Sequence, residues 1–368
     1  MRLILLAILF ASLAVEAQQF QSPVYYQVGH SKSLAQGSVT ADFNNDGIAD
    51  IAVASSAGQL SVLLGNGDGT FQPAKILSVP GGSFGVAAGD LNADGKVDLV
   101  VSVDGPISNL NVYLGKGDGT FTPKAKYSAP PYLHTPVLAD FNGDGHLDVA
   151  ANDLPGNHQG SVVVWFGNGD GTLQSPTKYH IPGGIPLGVA AGDLNGDGHP
   201  DLAVADGATS NADVLLNNGD GTFQPVVQYP IGRGLAQCVT IADLNADGKP
   251  DLALGTTFYQ VDVLLNNGNG TFGSSAEFGT AGQLPVQIIA TDLNLDGKVD
   301  LAVSADTVGQ LLYGNGDGTF GNPVKLPIGA ISGNSMISAD FNRDGAPDLA
   351  QSTANKGVPS EAVLINTQ

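Results

Sequence analysis

The chain has 368 residues, of which 42% are hydrophobic and 51 are glycine, and its formal net charge is −21 at pH 7. That apolar content supports a large folded core and excludes a disordered chain, while glycine without a triplet period excludes collagen. The negative charge argues against nucleic acid or an anionic membrane surface as a partner.

Residues 1–17 begin with Arg2, continue through an apolar run from Leu3 to Leu13, and end on Val15-Glu16-Ala17. They read as a secretory signal cleaved near Ala17, too short for a membrane span. The mature chain is therefore expected to be exported, monomeric and without membrane insertion, with residues 18–368 as one domain. Its single cysteine, Cys238, lies in the apolar run Cys238-Val239-Thr240-Ile241 and reads as a buried, inert thiol.

From Asp42 onward one pattern recurs seven times: an acidic nine-residue loop, with starts at Asp42, Asp90, Asp140, Asp193, Asp243, Asp292 and Asp340. Residues 85–129 illustrate the unit. A short run, Gly85 to Gly89, enters the loop at Asp90, and Asp98 to Val103 leaves it as a second strand. A variable segment leads to a third strand, Leu110 to Leu114. The turn Gly115 to Phe121 and a fourth strand, Pro123 to Ser128, complete the repeat. Asp-Gly and Asn-Gly pairs between apolar strands are hairpin signals, so each unit is expected to be a four-stranded antiparallel meander. Repetition of such units predicts an all-β fold, a seven-bladed β-propeller. The GNGDGTF-type turn recurs at Gly65, Gly115, Gly167, Asn217, Asn266 and Gly314. It reads as a tight turn with a packed aromatic residue.

The seventh repeat ends after its third strand, Ala362 to Asn366, whereas Phe20 to Tyr26 resembles the fourth-strand segment Phe223 to Tyr229. The N-terminal strand is thus expected to complete the last blade and close the ring, which leaves no exposed seam.

Each loop places oxygen-bearing side chains at positions 1, 3, 5 and 9 and glycine at position 6. The first has Asp42, Asn44, Asp46 and Asp50; the second Asp90, Asn92, Asp94 and Asp98; the third Asp140, Asn142, Asp144 and Asp148. The fourth has Asp193, Asn195, Asp197 and Asp201, and the fifth Asp243, Asn245, Asp247 and Asp251. The sixth has Asp292, Asn294, Asp296 and Asp300, and the seventh Asp340, Asn342, Asp344 and Asp348. Alternate residues of a tight turn can aim oxygens at one point, and position 7 can add its carbonyl, as in EF-hand loops. Those carbonyls belong to Ile48, Lys96, His146, His199, Lys249, Lys298 and Ala346. An all-oxygen donor set favours Ca2+ over zinc or copper. The loops hold three aspartates each, 21 in all, which matches the net charge. Up to seven Ca2+ sites are expected.

Antiparallel order gathers the acidic loops on one face. The opposite face is built from unlike segments, including Asp153 to Gly160, Thr256 to Gln260, Gly232 to Gly234 and Asn355 to Glu361. Varied loops on a rigid scaffold are where recognition usually sits. Tyr132, His134, His158, Arg233, Phe258 and Tyr259 are the ligand candidates there. Trp165 is assigned to the core, because leucine or tyrosine fills its place in the sibling repeats.

The segments Gly192–Asp206 and Ala242–Gly255 resemble FG-GAP repeats, also described as VCBS repeats, found in integrin α-subunit N-terminal propellers and many exported bacterial proteins. The resemblance covers nearly the whole mature chain. It implies Ca2+ held by positions 1, 3, 5 and 9 with the position-7 carbonyl, and ligand binding on the face away from the metals. Asn at position 3, where the family often has Asp, removes one charge per site and implies weaker affinity.

No nucleophile elbow, zinc-protease motif or phosphate loop is present, and the mature chain has only two glutamates, Glu277 and Glu361. Three functions remain: a non-catalytic module binding a protein or a glycan; a calcium-dependent polysaccharide lyase; and a mainly structural matrix protein.

Overall fold

The computed structural model describes residues 19–30, 33–104, 108–130, 132–134, 136–154, 160–328 and 335–368. Residues 1–17, expected to be a secretory signal, and His158 lie outside the described residues. The described strands form seven four-stranded antiparallel sheets, each in sequential order except the last. Blades 1 to 6 span residues 35–78, 82–128, 137–180, 186–230, 236–279 and 285–325. Blade 7 combines Met336–Ala339, Asp348–Asn355 and Val358–Leu364 with the N-terminal strand Val24–Gln27. Val24 pairs with Val363 and Gln27 with Ser360, and Phe20 bridges Asn366. The expected ring closure is therefore present.

The second and third strands are buried along most of their length, as in Asp50–Ser55 and Ser161–Trp165. Both faces of each blade lie against a neighbour, so the strands read as continuous apolar runs instead of alternating ones. One apolar cluster fills each seam. Phe43, Leu60, Leu99 and Tyr113 join blades 1 and 2, and Val28, Ile51, Phe341 and Val363 join blades 1 and 7. Trp165 is fully buried between blades 2 and 3, as expected. Cys238 is buried too, and burial pushes its thiol up to about 12.

One segment departs from the sequence reading. Residues 355–361 are not a variable loop. Lys356 and Gly357 adopt φ of 52° and 79°, and the flanking strands pair from Asn355–Val358 onward. Two consecutive left-handed residues make a tight hairpin turn whose twist suits the strands it joins. Glu361 consequently points into the interior.

Candidate functional site

The seven acidic loops fold alike because their own oxygens bind their own amides. In loop 1, Asp42 Oδ1 accepts the amide of Asp46 at 3.1 Å and Asp42 Oδ2 that of Gly47 at 2.7 Å. Asn44 Oδ1 also accepts from Asp46, and Asp46 Oδ1 accepts the amide of Ile48 at 2.8 Å. Positions 4 and 6 are both left-handed, as with Asn45 (59°) and Gly47 (76°). Glycine serves position 6 in every loop, but position 4 is non-glycine in five, including Ala93, Leu295 and Arg343 at 55°, 58° and 62°.

The position-9 aspartates sit beneath these turns, all fully buried. Asp50 Oδ2 accepts the amide of Phe43 and Oδ1 that of Gly65, both at 2.8 Å. Burial pushes Asp50, Asp148, Asp201, Asp251 and Asp348 up to about 6, against the pull of these amides and with a smaller push from the carboxylates at positions 5 and 1. Each loop therefore carries three carboxylates and one carboxamide on a tight turn of backbone. Among the described residues no His, Cys, Asp or Glu side chains converge as a ready-made metal group. In donor type the loops fit calcium: oxygen is the sole ligand element, and charge is concentrated around a buried carboxylate.

The position-2 carbonyls have a role that was not apparent in the sequence. Phe43, Leu91, Leu244 and Phe341 accept from the amides of Gly119, Gly171, Gly318 and Gly69, at 2.9 to 3.1 Å. Phe141, Leu194 and Leu293 accept from the side-chain amides of Asn217, Asn266 and Asn366, at 2.7 to 2.8 Å. In all seven cases the donor belongs to the following blade, so every loop is stapled across a seam. Aromatic pairs reinforce the staples, with ring centroids 5.6 Å apart for Phe43–Phe121 and 5.3 Å for Phe71–Phe341. The GNGDGTF-type turns are Asx-turns, in which Asp68 Oδ1 accepts both the amide and the hydroxyl of Thr70.

The position-7 histidines, His146 and His199, lie against glycines of the outer turns. A Cβ at Gly169 would lie 2.4 Å from His146 Cε1, and one at Gly219 would lie 2.5 Å from His199 Nε2. Position 7 thus packs over the blade's own outer turn, and glycine leaves room for it.

On the opposite face the inner strands open a cavity of about 480 Å³ along the ring axis, lined in part by Gln36, Phe84, His134, Leu187, Gln237 and Gln287. His134 stacks on Phe84, with centroids 3.7 Å apart and planes at 9°. Tyr132 (51% exposed), Phe258 (57%) and Tyr259 (49%) project from this face. Tyr132 and Tyr259 hold φ of 62° and 59°, a conformation that bulky side chains rarely adopt. Arg233 is exposed in the connection that packs on Phe258, where a Cβ at Gly234 would lie 2.9 Å from the Phe258 amide nitrogen. The two glutamates are not paired: Glu277 lies in blade 5 and Glu361 in blade 7.

Buried polar side chains line the seams beneath this face, a feature hidden in the sequence by ordinary strand alternation. Ser61 Oγ accepts the amide of Gly29, Asp262 Oδ1 accepts that of Gly232, and Gln310 Nε2 donates to the carbonyl of Thr280. Third-strand side chains thereby anchor the connections at these three seams.

An FG-GAP-like repeat model matches residues 42–101, 92–151, 140–204, 193–254, 243–303 and 292–350. The chain belongs to the FG-GAP repeat family. Each matched unit runs from one acidic loop past the next, so the FG-GAP unit straddles a seam between two blades. None of the curated proteins matches the chain. Among solved structures, the FG-GAP propeller is similar to an Agrocybe aegerita lectin studied for recognition of non-reducing terminal N-acetylglucosamine, at 24% identity, 80% coverage of each chain and a TM-score of 0.53. It is similar to BBS1N, solved in complex with ARL6DN, at 12% identity, covering 95% and 98% of the two chains, with a TM-score of 0.64. The V. cholerae biofilm matrix protein Bap1 matches at 14% identity, over 96% and 92%, with a TM-score of 0.55. At these identities the likeness is one of fold.

Proposed function

We propose that this FG-GAP propeller is an exported, calcium-stabilised binding module that takes a glycan or protein ligand, without catalysis, on the face opposite its acidic loops. The observation that carries this reading is the contrast between the two faces. One repeats the same loop seven times, whereas the other varies from blade to blade, exposes Tyr132, Phe258 and Tyr259, and has an axial cavity lined by Phe84 and His134. Exposed aromatic side chains suit stacking on sugar rings or anchoring a peptide. Propellers of this architecture recognise N-acetylglucosamine in the A. aegerita lectin and form a complex with ARL6DN in BBS1N. The separation of Glu277 and Glu361 gives a glutamate acid–base pair no support.

In the loops, the carboxylates at positions 1, 5 and 9, the carboxamide at position 3 and the carbonyl at position 7 would hold calcium. The ion supplies the positive charge that three clustered carboxylates lack. A glycan array, with an immobilised-protein panel beside it, tests the binding reading. Signal lost in the Phe258→Ala/Tyr259→Ala double variant supports it. Signal that survives this change and a Tyr132→Ala change, but is lost on altering the acidic face, contradicts it.

A further inference from the structure

The seven loops differ in one respect that tracks the residue at position 7. In loops 2, 5 and 6 the lysine there turns back onto the position-5 carboxylate: Lys96 Nζ lies 3.1 Å from Asp94 Oδ2, Lys249 Nζ 3.3 Å from Asp247 Oδ2 and Lys298 Nζ 3.3 Å from Asp296 Oδ2. In loops 1, 3, 4 and 7 position 7 is Ile48, His146, His199 or Ala346, so no lysine stands there, and the position-5 carboxylate accepts from the position-3 carboxamide. Those bonds are Asn44–Asp46 at 2.8 Å, Asn142–Asp144 at 3.0 Å, Asn195–Asp197 at 2.9 Å and Asn342–Asp344 at 2.7 Å. The lysine stems are held in place. A Cβ at Gly117, Gly268 or Gly316 would lie 3.1, 2.7 or 3.0 Å from the Cδ of Lys96, Lys249 or Lys298. Each ammonium thus sits next to an oxygen that a cation would use. Arg343, also at this face, donates to the carbonyls of Gly47 (2.8 Å) and Asp46 (3.4 Å) in loop 1 and not to a loop carboxylate, while Lys75, Lys116 and Lys124 lie beside the outer-turn residues Asp118 and Asp170.

We propose that the loops form two classes of divalent-cation affinity, in which Lys96, Lys249 and Lys298 act as tethered competitors that hold loops 2, 5 and 6 below loops 1, 3, 4 and 7. This rests on the calcium reading of the loops given above. A single positive charge a few ångströms from a doubly charged ion, in a solvated setting, weakens binding by roughly tenfold. Affinity of oxygen-ligand loops follows their charge count in the same direction. The arrangement gives the ring graded filling: four loops load first, and blades 2, 5 and 6 acquire their cations only at higher concentration.

Calcium titration calorimetry of the mature chain at low ionic strength tests this, using the Lys96→Met/Lys249→Met/Lys298→Met triple variant. Methionine keeps the apolar stem over the turn and removes the charge. A second triple variant, Lys126→Met/Lys325→Met/Lys356→Met, makes the same change in net charge away from the loops. The expected result is four tight and three roughly tenfold weaker sites in the parent, near-uniform sites in the loop triple, and parent-like behaviour in the control triple. Seven equal sites in the parent, an unchanged isotherm in the loop triple, or an equal gain in the control overturns the two classes while leaving calcium binding intact. Absence of calcium binding in all three proteins overturns the underlying reading and this one with it.

Discussion

The amide of Gly69 in blade 1 donates to the carbonyl of Phe341 in blade 7 at 3.1 Å. That bond joins the first outer turn of the ring to its last acidic loop, and the Phe71 and Phe341 rings meet edge to face beside it. The same geometry recurs round the ring, so the acidic loops are at once candidate cation cages and the fasteners between blades.

The side-chain version of this staple makes a comparison possible. Asn217 Nδ2 bonds the carbonyls of Phe141 and Pro200, whereas Asn366 Nδ2 bonds those of Leu293 and Pro347. Leu293 has a second donor, Gln19 Nε2 at 2.8 Å. Asn217→Ala is expected to cost about 1–3 kcal/mol by stranding acceptors in a seam, and Asn366→Ala less. Urea midpoints for the two variants check the order.

Position 4 of the loops offers a gain instead. Leu295 is half exposed and held at φ 58°, where Gly143 and Gly196 stand in loops 3 and 4. A left-handed leucine costs roughly 1–2 kcal/mol, part of which glycine returns as unfolded-chain entropy. Leu295→Gly is expected to stabilise the chain by about 0.5–1 kcal/mol in urea unfolding. A loss of stability would show that the leucine side chain has a packing role that its exposure conceals.

Glu361 gives a pH dependence. It is fully buried between blades 7 and 1, where Ser352 Oγ donates to its Oε2 at 2.9 Å and Ser38 of blade 1 is a second hydrogen-bonding neighbour. Burial pushes it from 4.5 up to about 8. A carboxyl whose folded value is raised contributes stability that is complete below its unfolded value, near 4.5, and is lost as pH climbs through about 8. The loss approaches 1.4 kcal/mol per pH unit at most within that window. Glu361→Gln is expected to melt like the parent at pH 4.5 and above it at pH 9. Parallel melting profiles would show that the side chain is not held as a neutral acid.

Tyr259→Gly separates recognition from folding. Glycine adopts φ 59° freely, so melting temperature is expected to hold or rise while ligand binding falls. A variant that unfolds would give the tyrosine a structural role in place of a contact.

The blade count, the order of strands and the closing of blade 7 by Val24–Gln27 were legible in the sequence because the loops and turns recur at a near-constant interval. Trp165 was placed correctly by comparison with its siblings. What stayed hidden depends on neighbours in space. The position-2 carbonyls are backbone groups, which leave no mark in a residue pattern. Asp262 and Gln310 alternate with apolar residues and so look solvent-facing, although both are buried in seams. The stretch from Asn355 to Glu361 looked like a recognition loop because it is unlike the corresponding segments of the other repeats. The Lys356-Gly357 turn and the interior position of Glu361 appear only once the strands pair.

The central claim is that the oxygen-rich loops hold cations and, through their staples, hold the ring together. Its most direct test is calorimetric melting of residues 18–368 with excess calcium and with a calcium chelator, alongside metal analysis of the protein. Each filled site adds roughly 2.7 kcal/mol at a hundredfold excess over its dissociation constant, so several loops acting together predict a large upward shift with calcium. Melting curves that coincide, from protein that carries no calcium, would contradict the claim.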